Sequence, residues 1–469
     1  MKSLRYSLII TLSLCFWSVS VIGQEFRIAV DIPDLPDTTV ILSHRYGLKI
    51  FADDTVRTDD RGHASFESKD KKPLGMYQIV LPGKKYAEFF VDKKQVFSIR
   101  TKASAPTDSL SFSDSPENSR FLKWQQDYTK LRNRSVQIQN RVKKGNLSPD
   151  SIQLFSKELV EIRQKTNQVW DDAIWELSGT LAGKFISGLK PVNIPESLTK
   201  LNDKDSQLKQ YQYLRAHFLD QVDFSNASLL RTPLIETKVD QYFKQIVPPV
   251  PDTIIKEARQ IIGRAKAEKD MYQFVIQYLF NMYSNPEIMG TDAVYVNIAE
   301  NYYLAGETPW VDSANLRGIR YRVNELKPLL LGKVPPVLDG LITVDEQPFD
   351  IQSIKSKYLV LFFWSPDCGF CKEAAPKLNA EYGELKQMGT DIIAVNTRTD
   401  KEVWTKFITD NKLSWINVYS PGKVKEIIQN YQAFTTPVLY ILDADRRIIA
   451  KSISVDQVKP FLKQYQSSH

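Results

Sequence analysis

"FFWSPDCGFCKEAAP", Phe362 to Pro376, holds two of the three cysteines in a chain of 469 residues. Cys368 and Cys371 stand three positions apart, and the third, Cys15, lies near the N-terminus. Such spacing suits a structural cross-link poorly. A disulfide stabilises mainly by closing a long loop, and two intervening residues close almost none. Half of a four-cysteine zinc site is the other structural reading, but His44, His63, His217 and His469 are all remote from the pair in sequence. Thiol-disulfide exchange does need this arrangement, because one sulfur attacks and a second must resolve the mixed disulfide. A CxxC on the first turn of a helix supplies that distance. The pair therefore reads as a redox-active Cys368–Cys371 couple, with no metal and no cofactor.

Around it, strands and helices alternate. "YLVLFFW", Tyr358 to Trp364, is a continuous apolar run, as a central strand buried on both faces requires. "CKEAAPKLNAEYGELKQM" reads as a helix, "DIIAVN" as a strand, "KEVWTKFITDN" as a helix, "WINVYS" as a short strand and "VKEIIQNY" as a helix. "PVLYILD" and "RRIIAKSI" form a hairpin, and "DQVKPFLKQYQ" closes with a helix. This alternation predicts an α/β sheet covered by helices on both sides over residues 332–469.

The chain before it divides by pattern. Residues 24–113 carry short β-type runs, among them "FRIAVDI", "TVILSHR", "GMYQIVL", "AEFFVD" and "VFSIRT", separated by turn signals such as "DDRGH" and "LPGKK". They predict a small β-sandwich-like domain. Residues 114–331 read as an all-α domain. Ser115-Pro116-Glu117 supplies an N-cap, a first-turn proline and a favourable acid. Phe121, Trp124, Tyr128 and Leu131 follow at helical spacing. Ser148-Pro149-Asp150 opens a second helix with Ile152, Phe155, Leu159 and Ile162 on one stripe, so the two form an antiparallel hairpin. Further helices are expected from about Ser206, Glu236, Pro251, Asp270, Asp292 and Asp312. Tyr272, Phe274, Tyr278, Tyr302 and Tyr303 crowd this region, and helix packing accounts for them better than a partner-recognition surface.

Residues 1–23 have the pattern of a secretory signal peptide: Lys2 and Arg5, an apolar run from Ser7 to Val21, and Gly23 before Gln24. The run falls short of the ~20 residues a membrane span needs, and no later stretch is longer. Export places a protein where disulfides persist, and cleavage leaves Cys368 and Cys371 as the remaining thiols. A retained anchor is one rival reading. A lipid on Cys15 is another, which Leu14 disfavours because a small residue usually precedes a lipidated cysteine. The formal net charge of +7, with 42% hydrophobic and 25% charged residues, is an ordinary globular balance. No basic run or stripe points to nucleic acid.

Strand, Cys368-Gly369-Phe370-Cys371, helix, and later Thr436-Pro437 before a strand: this order resembles the thioredoxin fold. "GKVPP" at 332–336, "LITVDEQPFDI", "FFWSPDC" and Pro376 make it similar to the exported TlpA/ResA-like, or redoxin-like, thiol-disulfide oxidoreductases. "NPEIMGTDAVYVNIAENYYLAGETPWVD", residues 285–312, resembles the helical domain of exported multidomain thioredoxin-like proteins, which carry an uncharacterised β domain before it. The resemblance implies that Cys368 is the nucleophile and Cys371 the resolving thiol, that Pro437 is a cis-proline, and that Thr436, Pro437 and Trp364 bind substrate. It implies protein thiol or disulfide substrates, an upstream electron donor and a periplasmic location, with membrane attachment only if Cys15 is lipidated. The position of Cys368 at a helix start agrees, since unpaired amides and the helix dipole stabilise a thiolate there. Lys372 adds to this and Asp367 opposes it.

The chain departs from the family at its proton relay. Phe362 stands where thioredoxin has an acid, Ala374 where the exported branch often has one, and Glu373 is one position off. The Gly-Phe dipeptide lacks the histidine of strongly oxidising relatives, which favours a reductant or isomerase. Two alternatives stand beside this. One is a thiol peroxidase of the redoxin family, for which Ser365 is suitably placed but Leu361 replaces a proline. The other is a partner-binding scaffold with a vestigial redox domain.

Overall fold

The computed structural model describes residues 25–145, 147–199, 203–398 and 400–468. The expected signal peptide and Cys15 lie outside the described residues. The chain forms two compact units that divide between Asp240 and Gln241.

The first unit opens with eight strands: β1 (Phe26–Asp31), β2 (Thr39–Tyr46), β3 (Lys49–Arg57), β4 (His63–Ser68), β5 (Gly75–Leu81), β6 (Lys85–Val91), β7 (Val96–Arg100) and β8 (Ser111–Ser113). They make two four-stranded sheets, ordered β4-β1-β7-β8 and β3-β2-β5-β6. Alternation along β1 turns Phe26, Ile28 and Val30 inward. These side chains join Val40 and Leu42 of β2 and Tyr77 and Ile79 of β5 in one apolar cluster, so both sheets feed a common core. β1 pairs antiparallel with β4 but parallel with β7, which makes its sheet mixed.

Among the described residues the helices that follow are α1 (Pro116–Lys143), α2 (Pro149–Glu176), α3 (Leu181–Leu189), α4 (Glu196–Thr199), α5 (Lys204–His217) and α6 (Leu234–Gln241). α1 and α2 lie side by side as a hairpin, with the Trp124 and Trp170 rings 4.9 Å apart. The stretch 114–331, expected as one helical domain, is shared between the units. Phe90 of β6 explains the first part: its ring meets Phe121 of α1 at 4.9 Å and Phe185 of α3 at 5.5 Å, tying the early helices to the sheets.

The second unit begins with a π-helical turn at Tyr242–Ile246, followed by α7 (Pro251–Ala265), α8 (Lys269–Met282), α9 (Asp292–Ile298), a second π-helical turn at Ala299–Tyr303 and α10 (Ser313–Leu326). Aromatic residues here pack against one another: Tyr303 meets Phe280 in a tilted pair at 4.2 Å, and Tyr272 meets Trp310 edge-on at 6.2 Å. A seven-stranded sheet then forms from β9 (Leu341–Thr343), β10 (Pro348–Phe349), β11 (Tyr358–Trp364), β12 (Thr390–Asn396), β13 (Ile416–Tyr419), β14 (Val438–Leu442) and β15 (Ile448–Lys451), in the order β10-β9-β13-β12-β11-β14-β15. Its helices are α11 (Gly369–Gln387), α12 (Lys401–Asp410), α13 (Val424–Asn430) and α14 (Val455–Ser468).

β11 is buried along its whole length because both faces are covered. Tyr358, Val360, Phe362 and Trp364 enter the layer beneath α11, α12 and α14. Leu359, Leu361 and Phe363 enter the opposite layer with Ile427 of α13. Each such side chain contributes roughly 1.5–3 kcal/mol by leaving water, so the strand that leads into the cysteine loop is among the most firmly held parts of the fold.

Candidate functional site

β11 delivers the chain to a tight turn. The Cys368 amide donates to the Ser365 carbonyl at 3.2 Å, and the Asp367 amide donates to the Ser365 hydroxyl at 3.2 Å. Thr397, just past β12, clamps the end of β11 by donating its amide and hydroxyl to the Trp364 carbonyl at 2.9 and 3.1 Å. The backbone at Cys368 is extended, with φ −80° and ψ 120°, and α11 starts at the next residue. Cys368 is thus the N-cap. Its sulfur accepts the Cys371 amide at 3.4 Å, in the role a serine or aspartate oxygen usually plays.

Sheet register brings the second loop to it. β14 runs antiparallel to β11 with Val438 opposite Phe363, so the chain entering β14 lies beside the chain leaving β11. The Thr436–Pro437 bond just before β14 is cis. The Thr436 carbonyl accepts the Cys368 thiol proton at 3.1 Å.

The two thiols are free and differ sharply in setting. Burial raises the Cys368 thiol, but hydrogen bonds from the Cys371 thiol, from the Thr436 side chain and from the Cys371 and Phe370 amides outweigh it and leave it below the ordinary value of 9.0. Cys371 is fully buried among Phe362, Trp364, Ala374 and Leu378. Burial pushes its thiol up to about 12. One sulfur is partly exposed and readily ionised; the other stays protonated behind it.

Trp364 corrects an expectation. Its place beside the cysteine loop suggested a substrate-binding side chain, yet it is fully buried. It ends a strand covered on both faces, and its ring lies 5.3 Å from Phe407 of α12 and 6.3 Å from Phe362. Ser365, the residue that suggested a peroxidase, is also buried, and its hydroxyl is taken up by the Asp367 amide. Phe362 and Ala374 are buried and Glu373 is exposed, so the two family acid positions present no carboxylate to Cys371. The sequence pattern marked Phe370 only as part of the Gly-Phe dipeptide and gave Phe434 no role; both side chains are exposed. Among the described residues, no three or more His, Cys, Asp or Glu side chains gather closely enough to hold a metal.

Known proteins match the chain in parts. Residues 334–451 match the AhpC/TSA family, and residues 157–327 match a domain of unknown function, DUF5106. The thiol-disulfide oxidoreductase ResA of Bacillus thuringiensis is 25% identical over 122 residues, which are 26% of this chain and 69% of that protein. The soluble secreted antigen MPT53 of Mycobacterium bovis is 30% identical over 76 residues, 16% of this chain and 43% of that protein. Among solved structures, a domain of a possible thiol-disulfide isomerase from Cytophaga hutchinsonii is 35% identical, covering 30% of this chain and 96% of its own, with a TM-score of 0.29. A thioredoxin-like protein from Bacteroides caccae is 18% identical, covering 59% of this chain and 98% of its own, with a TM-score of 0.46.

Proposed function

We propose that this chain, whose C-terminal part is a thioredoxin-like redoxin domain homologous to the ResA thiol-disulfide oxidoreductases, reduces or isomerises disulfides in exported proteins through Cys368 and Cys371. The observation that carries the reading is the contrast between the two sulfurs: a partly exposed, acidified thiol at a helix start and a buried one pushed up to about 12.

The exchange runs in two displacements. The Cys368 thiolate attacks one sulfur of a substrate disulfide, a new S–S bond forms, and the other substrate sulfur leaves as a thiolate. Cys371 then attacks Cys368, its proton passing to a departing substrate thiolate. The substrate gains two electrons and ends with two thiols; the protein loses two and ends with a Cys368–Cys371 disulfide. An external thiol donor must restore the dithiol. The Thr436 carbonyl, beside the attacking sulfur, offers a main-chain acceptor for an extended substrate segment.

An exported location rests on the N-terminal pattern of residues 1–23. Among the described residues, no helix is long and apolar enough to cross a membrane. Reduction of insulin by dithiothreitol tests the activity. The protein should accelerate it catalytically, and Cys368→Ser should return the rate to the uncatalysed background. Equal rates for wild type and Cys368→Ser would refute the assignment.

A further inference from the structure

With Trp364 buried, the surface beside the reactive sulfur is supplied by other side chains. Phe370 is 78% exposed and Phe434 is 65% exposed, more than any other phenylalanine among the described residues. An apolar ring left in water forgoes stabilisation that burial would bring, and here two occur close in sequence to the groups that meet at Cys368, one on a helix and one on a loop. Phe370 sits between the cysteines on the first turn of α11. Phe434 stands two residues before Thr436, whose carbonyl is 3.1 Å from the Cys368 sulfur.

Neither ring stands on loose backbone. Ala433, next to Phe434, is buried, and its amide donates to the Ile428 carbonyl at 2.8 Å. Gly369, next to Phe370, has open space where a side chain would be. The exposed charges nearby, Asp367, Lys372 and Glu373, are of both signs and supply no uniform field to favour a charged partner.

We propose that Phe370 and Phe434 form an aromatic rim to the Cys368 site that selects disulfide-bearing polypeptide segments with an apolar or aromatic residue beside the cysteine. This rests on the thiol-disulfide reading above and names its substrate class. The rim acts before the covalent step: it holds the flanking side chain against the rings while the Cys368 thiolate reaches the disulfide, and the exchange itself proceeds as already described. Small disulfides without such a side chain gain nothing from it.

The test uses two peptides that differ only in carrying Phe or Ser beside a single cysteine, each linked through that cysteine to thionitrobenzoate. Release of thionitrobenzoate from each by the reduced full-length protein is followed under single-turnover conditions. The Phe peptide should react about tenfold faster, the scale of one good aromatic contact. Phe370→Ser/Phe434→Ser should bring the ratio within about twofold, and Phe370→Leu/Phe434→Leu should restore most of it. A ratio near one in the wild type, a ratio that survives the serine pair, or a glutathione–thionitrobenzoate disulfide reacting as fast as the Phe peptide would each overturn the inference and leave the redox reading standing. No release from any of these disulfides would overturn both.

Discussion

At the scale of single residues, two thiols three positions apart are made chemically unlike by their surroundings. Burial works against ionisation at both, and hydrogen bonding reverses it only at Cys368. The thiolate is the reactive form, so alkylation by iodoacetamide should rise with pH and reach half its plateau below the ordinary 9.0 of a thiol. Between pH 7 and 9 the label should map to Cys368, because Cys371 stays protonated up to about 12. An inflection at or above 9.0, or equal labelling of both residues, would contradict this. The cysteines were legible in the sequence because thiol chemistry resides in the residue type itself. Trp364 was not. A tryptophan beside a reactive loop reads the same whether it faces a substrate or the Phe407 ring, and only the packing of α12 over the end of β11 decides which.

At the scale of elements, legibility followed burial. β11 was plain because both its faces are covered and every residue is apolar. β3 and β4 were passed over. β3, "KIFADDTVR", is exposed along nearly its whole length and so shows no in-out alternation. α3, "LAGKFISGL", carries two glycines in nine residues and is held mainly by its neighbours. Its start shows how. The Leu181 and Ala182 amides donate to Asp92 and to Glu117 of α1, both at 2.9 Å. Burial nonetheless pushes the Glu117 carboxyl up to about 7, against the Ala182 hydrogen bond, and the neighbouring Asp92 adds to the rise. A carboxyl raised in the folded state binds its proton more tightly there than in the unfolded chain. Its contribution is therefore full below the unfolded value of 4.5 and is lost as pH climbs through about 7. Glu117→Gln, which keeps an acceptor for Ala182 and removes the charge, should stabilise the first unit at pH 8 by about 1–3 kcal/mol and flatten its pH dependence above pH 4.5. Denaturant midpoints across that range measure it; an unchanged pH profile would show that Glu117 is ionised without penalty.

At the scale of the whole molecule, the later helices belong with the redox fold. Lys451, at the end of β15, donates to Asp292 at the start of α9 and to the Leu329 carbonyl, the latter at 2.6 Å, with both charged side chains buried. Sequence reading placed a domain boundary near residue 332 because the pattern changes there. The two family matches, residues 157–327 and 334–451, meet at the same place, and the pair that bridges it is separated by more than 150 positions. Removing one partner strands a buried charge, so Asp292→Asn or Lys451→Met should each destabilise the second unit by about 3–5 kcal/mol, while Asp292→Leu/Lys451→Met recovers much of the loss. Single variants within about 1 kcal/mol of wild type would mean the helices and the sheet do not depend on this pair.

The account as a whole depends on Cys368 attacking and Cys371 resolving, and the intact mass of the Cys371→Ser protein after incubation with insulin tests this most directly. With attack preserved and resolution removed, the variant should carry one insulin molecule in disulfide linkage to Cys368, stable until a reductant is added, while Cys368→Ser carries none. An adduct on Cys371 in the Cys368→Ser protein, or no adduct in either, would contradict it.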